Sequence, residues 1–198
     1  MQQETRIPKQ KRSLAKYEKI IDTGWKLISK NGYHNTNTAE IAKEANVSTG
    51  IVYQYFKDKH EILIEGIKKY GDEVFYPMIK INNNKEVKSI EDFFRKVIKE
   101  YINDHKISKD THEEIMSMVH NDNEIREYYY KREMELTNYI YDLLIYNNIK
   151  KEQLKEKVHI IIGMIDNLCH EVVYHKHKEL DYETMTNLVI NNINKLLN

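Results

Sequence analysis

The 198 residues are 40% hydrophobic and 31% charged, which excludes a disordered chain, and six Gly and two Pro are too few for the many tight turns of an all-β protein. The formal net charge is zero but uneven: residues 1–70 carry 13 Lys and Arg against 8 Asp and Glu and the remainder 18 against 23, so the front end is the part suited to nucleic acid. The longest apolar run, Ile160 to Ile165, falls far short of the roughly 20 residues of a membrane span, the basic N-terminus lacks the apolar stretch of a secretory signal, and the lone Cys169 cannot form an internal disulfide; a cytoplasmic protein is expected.

In chain order, residues 1–12 read as a mobile polar arm with Arg6, Lys9, Lys11 and Arg12. Ser13 is the expected N-cap of a helix in which Tyr17, Ile20, Ile21, Gly24, Trp25 and Ile28 recur at helical spacing. Asn31-Gly32 ends it, Gly32 supplying a left-handed turn. A short helix is predicted from Thr38, its expected cap, to Ala45, with Ile41, Ala42 and Ala45 facing inward. Asn46-Val47-Ser48 is a tight turn in which Asn46 takes the positive φ, followed by a second short helix over Thr49 to Phe56. Asp58 caps a longer helix through Ile62, Leu63, Ile67, Tyr70 and Val74, ending near Pro77.

The polar stretch Asn82 to Ser89 reads as a loop, and Ser89 with Asp92 opens a helix through Phe93, Phe94, Val97, Ile98 and Tyr101. Further helices are expected over about 110–120, 123–147, 151–177 and 182–197, the last capped by Asp181. The predicted fold is all-α with about nine helices.

The segment Thr36 to Lys59, TNTAEIAKEANVSTGIVYQYFKDK, is two short helices joined by a three-residue turn, the geometry of a helix-turn-helix whose second helix enters the major groove. The outward positions of that helix, Ser48, Thr49, Gly50, Tyr53 and Gln54, are small or polar. Ser and Thr hydroxyls bond phosphates and base edges, Gln pairs with adenine, and Gly50 allows close backbone approach. Tyr53 and Tyr55 either direct hydroxyls at phosphates or pack between helices, and Lys59 adds a cation at the next helix start.

Gly32-Tyr33, Thr38, Ile41-Ala42, Ala45, Val47-Ser48, Gly50, Tyr53, Tyr55-Phe56 and Lys59 together resemble the DNA-binding domain of the tetracycline-repressor (TetR) family, over residues of about 13 to 63. The resemblance implies an N-terminal three-helix DNA-binding domain, residues 1–58 with the arm 1–12, and a C-terminal effector-binding and dimerisation domain, residues 59–198. It implies a bacterial homodimer that binds a palindromic double-stranded operator, represses transcription there, and is released by an unidentified small molecule, with no membrane and no enzyme activity. By position it makes Thr38, Tyr53, Tyr55 and Lys59 phosphate contacts and places Ser48, Thr49, Gly50 and Gln54 near base edges, with Thr36 and Asn37 in the same DNA-facing segment. Two residues depart from the family pattern: Asn46 stands where Gly is usual and Asn37 where Thr is common, and Asn37 either contacts phosphate or caps the helix.

The apolar stripes of the last two helices, Val158, Ile161, Ile165 and Val172 with Leu188, Val189, Ile193 and Leu196, are the candidate dimer interface across a two-fold axis, with packing inside one monomer as the alternative. Candidates for the effector site are Phe94, Tyr101, Met116, His120, Tyr129, Met134, Met164, Asp166, Asn167 and His170, set against a plain core role for such stripes. Asp166 in an apolar helix meets a cation, caps a partner helix or faces solvent. His170, His175 and His177 beside Glu171 raise a metal reading, in which Glu171 and His175 share a helix face, but two ligands do not make a site, and no metal or other cofactor is expected. Cys169 and His170 are neighbours on different helix faces and so are not expected to pair catalytically. An adaptor of the same fold that works through a protein partner is the competing function.

Overall fold

Apolar residues that recur every three or four positions bury one face only as helices that pack on one another. The computed structural model describes residues 8, 10–74, 87, 89–104 and 108–198, and every regular element among them is helical. These are α1 (Lys11–Asn31), α2 (Thr38–Glu44), α3 (Thr49–Tyr55), α4 (Lys59–Val74), α5 (Ile90–Asp104), α6 (Lys109–Asn121), α7 (Asn123–Tyr146), α8 (Leu154–Tyr174) and α9 (Tyr182–Leu197). No described helix is long and apolar enough to cross a membrane. Arg6, Lys9, Pro77 and all of the Asn82–Ser89 loop except Val87 and Ser89 lie outside the described residues.

The chain forms two compact units. The first takes the described residues of 1–74 and 107–129, so it extends past the expected boundary at 58 to include α4, α6 and the start of α7. Its centre is an apolar cluster of Tyr17, Ile20, Ile21, Ile41, Ala42, Ala45, Val52, Tyr55, Phe56 and Ile62. Tyr17 stacks on Phe56 with ring centroids 4.9 Å apart and meets Tyr55 edge-on at 5.9 Å. Helices α1 and α4 cross so closely that a Cβ at Gly24 would lie 2.4 Å from the Ile62 side chain, which is why position 24 has none. Around that crossing Trp25 stacks on Tyr70 at 5.7 Å, and Lys69 reaches Glu18 and Asp22, each at 2.6 Å.

The second unit takes the described residues of 75–106 and 130–198. Here α5, α8 and α9 pack together over Phe94, Val97, Ile98, Tyr101, Ile161, Ile165, Leu168, Ile190 and Ile193. Cys169 is buried in this core, its thiol 4.0 Å from the carbonyl of Ile98, and burial pushes the thiol up, away from the reactive thiolate.

Several helix ends differ from expectation, each for a local reason. Helix α1 starts at Lys11, so Ser13 lies inside its first turn and its amide bonds to the Gln10 carbonyl. Asn37, not Thr38, caps α2: its side chain accepts from the amide of Glu40 at 2.9 Å. Gly32 has φ 85° but ψ 158°, an extended backbone with positive φ rather than the left-handed helical turn. Helix α8 begins at Leu154 after Gln153 at φ 54° and ends at Tyr174, because the amide of His177 donates to the Tyr182 hydroxyl at 2.7 Å instead of continuing the helix. The expected caps Asp58, Ser89 and Asp181 are observed, and so is the positive φ of Asn46, at 54°.

Candidate nucleic-acid interface

Helices α2 and α3 are each two turns long and too short to hold themselves in water, so the apolar cluster beneath them fixes their positions. Ile41, Ala42, Val52 and Tyr55 point into that cluster and leave one polar face outside. Between the helices the Val47 amide donates to the Ala42 carbonyl at 3.0 Å, and Ser48 caps α3 by accepting from the Ile51 amide at 3.3 Å.

The outer face carries Asn37, Ser48, Thr49, Gly50, Tyr53 and Gln54, all exposed. Tyr53 is 49% exposed, and its hydroxyl lies 3.0 Å from that of half-buried Thr38. Around Gly50 there is open space, with only Ser48 Oγ at 3.9 Å from where a Cβ would sit. Among the described residues, none accounts for a helical glycine there.

Three expected contact residues are not on this face. Thr36 is 1% exposed, and its hydroxyl donates to the Gly32 carbonyl at 2.9 Å. Tyr55 is 7% exposed and packs against Tyr17, because a helix of period 3.6 turns position 55 inward when 53 and 54 face out. Lys59 directs its ammonium at backbone carbonyls, 2.7 Å from Tyr33 and 2.9 Å from Thr36, and lies 4.2 Å from the Tyr33 ring centroid. Burial first, then the nearby carboxylates of Asp58, Asp122 and Glu114, raises the Tyr33 hydroxyl above the ordinary tyrosine value.

Two groups missed from sequence brace the segments behind this face, Glu114 from α6 and Asp122 from the α6–α7 junction. Glu114 accepts from the amides of Tyr33 and His34, and Asp122 lies 2.6 Å from His60. Both are ordinary surface carboxylates in sequence, 81 and 62 residues from these partners, so no local pattern could have found them.

In the second unit, the Tyr101 hydroxyl donates to Asp166 Oδ1 at 2.8 Å and lies 3.0 Å from His170 Nε2, while His170 Nδ1 lies 3.5 Å from Asp166 Oδ2. Asp166 therefore joins a partly buried polar cluster with Tyr101 and His170, an arrangement that none of the three expected alternatives named. Burial raises Asp166, only partly offset by His170 and Tyr101, and burial with the Asp166 charge raises Tyr101 well above its usual value. Tyr174, whose ring centroid is 5.9 Å from that of His170, is pushed up to about 12 by burial. Phe94 is buried nearby in the same unit, Met164 is half-buried, and Met134 and Asn167 are exposed. Met116, His120 and Tyr129 belong to the first unit.

The metal reading does not assemble. His170 is drawn to Tyr101 and Asp166, Glu171 lies 3.7 Å from His177, and no group of three or more His, Cys, Asp or Glu among the described residues is placed to hold a metal.

The dimer candidates also divide. Val158, Ile161, Ile165 and Ile193 are at most 1% exposed within one chain, so they are core. Val172, Val189 and Leu196 are half-buried, and Leu188 is 56% exposed. Ile160, at 55%, is an exposed apolar residue of α8 outside the expected stripe.

Residues 20–65 match the family model described as bacterial regulatory proteins, tetR family. A 61-residue segment, 31% of the chain, is 48% identical to the fatty acid metabolism regulator protein of Bacillus subtilis, of which it covers 30%, so the chain spans under a third of that curated relative. A tetR-family transcriptional regulator from Mesorhizobium loti has a similar fold, with a TM-score of 0.72 at 16% identity over 95% of this chain and 98% of that one. A transcriptional regulator from Saccharomonospora viridis, solved in complex with choline, has a TM-score of 0.67 at 17% identity over 92% of this chain and 96% of that one.

Proposed function

We propose, from the match of residues 20–65 to the tetR family of bacterial regulatory proteins, that the chain is a regulator of that family, binds a palindromic operator as a homodimer, represses transcription there, and leaves the DNA when a small molecule binds its second unit. The observation that carries the reading is the polar face of α2 and α3. A tightly packed apolar base there presents exposed Ser48, Thr49, Gly50, Tyr53 and Gln54 together with the paired hydroxyls of Thr38 and Tyr53. In this reading Thr38 and Tyr53 bond phosphates, Asn37 caps α2 beside them, and Ser48, Thr49, Gly50 and Gln54 approach base edges.

One such surface is small, and two-fold pairing doubles it and fixes the half-site spacing to about 34–36 Å or a multiple. Exposed Ile160 and Leu188, with half-buried Val172, Val189 and Leu196, supply apolar surface on α8 and α9 for that pairing. In the second unit, the partly buried polar cluster of Tyr101, Asp166 and His170 is the group placed to orient an effector in this reading. The choline bound by a neighbour of the same fold suits an acid such as Asp166.

The test is selection from a random DNA library followed by a salt titration of the enriched site. A palindrome whose log K falls against log salt with a slope of about −0.9 per phosphate neutralised, and which Tyr53→Ala no longer binds, is the expected result. No enrichment refutes it and favours the adaptor reading, whereas enrichment unaffected by Tyr53→Ala moves the DNA contacts off this face.

A further inference from the structure

The loop between α1 and α2 is held between a cation and an anion supplied by distant parts of the chain. From α4, the Lys59 ammonium meets the carbonyls of Tyr33, Thr36 and, at 3.4 Å, His34. From α6, Glu114 accepts the amide of Tyr33 at 2.6 Å on one oxygen and that of His34 at 2.9 Å on the other. Carbonyls thus face the positive charge and amides the negative one, and hydrogen bonds to ionised partners are the strong kind. The approach of Glu114 requires glycine next door, since Gly32 has φ 85° and a Cβ there would lie 2.8 Å from Glu114 Oε2.

Little slack lies between this clamp and the DNA-facing side. Asn35 bonds to the Asn31 carbonyl at 2.9 Å, Thr36 bonds to the Gly32 carbonyl at 2.9 Å, Asn37 caps α2, and Thr38 comes next with its hydroxyl 3.0 Å from that of Tyr53. We propose that Glu114 is a positioning residue for operator binding: it fixes the loop that sets the Thr38 and Tyr53 hydroxyls against the phosphates. This rests on the function proposed above.

Its sign separates it from simple charge. Removing a carboxylate near polyanionic DNA strengthens binding through the field alone, whereas loss of a positioning clamp weakens it. The full-length protein is compared with Glu114→Ala, Glu114→Gln and, as a charge control on the next residue, Glu113→Ala. Hydrogen exchange in the absence of DNA is expected to quicken at Tyr33 and His34 in Glu114→Ala and less in Glu114→Gln, which keeps one acceptor oxygen. On the enriched site, Glu114→Ala is expected to bind about tenfold more weakly with a parental salt slope, because the Thr38 and Tyr53 hydroxyls it positions carry no charge and release no counterions, and Glu114→Gln to recover part of the affinity. Glu113→Ala is expected to bind as well as the parent or better. Unchanged exchange, or parental affinity in Glu114→Ala, overturns the positioning role. A parent chain that enriches no site sinks instead the functional reading on which that role depends.

Discussion

Lys59 and Tyr55 show what a residue's identity leaves open. Each is chemically able to meet a phosphate, and each is used inside the fold, Lys59 on three carbonyls and Tyr55 against Tyr17. The residue type states the chemistry but not the direction, because the carbonyls that converge on Lys59 come from residues 23 to 26 positions away. Asn46 was fully legible, since a three-residue turn between two helices demands positive φ and Asn tolerates it. At φ 54°, Asn46→Ala is expected to cost about 1 kcal/mol, and Asn46→Gly to stay within a few tenths of the parent or exceed it. Urea unfolding of the two variants checks this, and an alanine variant as stable as the parent would mean that the turn relaxes.

At the scale of elements, the apolar period located α1 to α5, α8 and α9 among the described helices but could not say what covers each stripe. Val158, Ile161 and Ile165, expected at a surface between two chains, are core, because α5 and α9 already lie over them. A stripe records that a face is buried, not by which neighbour. The caps Asp58, Ser89 and Asp181 were legible from neighbouring residues, although Asn37 caps α2 where Thr38 was expected and α1 starts before Ser13. Asp122 is an exception: it accepts from the amides of Glu124 and Ile125 at the start of α7 and also binds His60, a partner far away in the chain. Burial opposes its charge, but the Ile125 amide, the His60 ring and the Glu124 amide outweigh it and hold the carboxyl below its ordinary range. A depressed carboxyl stabilises the fold above its unfolded value, near 3.8, and the contribution disappears as the pH falls through the folded value. Asp122→Asn is therefore expected to lose about 1 kcal/mol at pH 7, the gap to the parent closing below a pH of about 4. Thermal melts across that range measure it, and a pH-independent gap would assign the effect to packing.

For the whole molecule, the helix-turn-helix was readable because its short period, turn and polar face are local, whereas the makeup of the first unit was not. That unit recruits residues 107–129 across an intervening stretch assigned to the other unit, and no sequence pattern marks the join. The proposed dimer belongs to this scale as well. Leu188→Glu and Ile160→Glu are expected to give monomers by light scattering and to weaken operator binding, since both side chains are more than half exposed and their replacement leaves the core intact. Dimers in both variants would move the pairing surface elsewhere. Ile165→Glu would not answer the question, because it places an unpaired carboxylate in the core. The discontinuity of the first unit also sets an order of events during synthesis. At the usual ~5–20 residues per second, the ribosome needs roughly 3–11 s after residue 74 to deliver residue 129, the end of that unit. Glu114 itself follows residue 74 by 40 residues, roughly 2–8 s at that rate; until it is made Tyr33 and His34 lack that partner, and under the role proposed for Glu114 a nascent chain carries α3 before it can hold that helix in place, which disfavours premature capture of DNA.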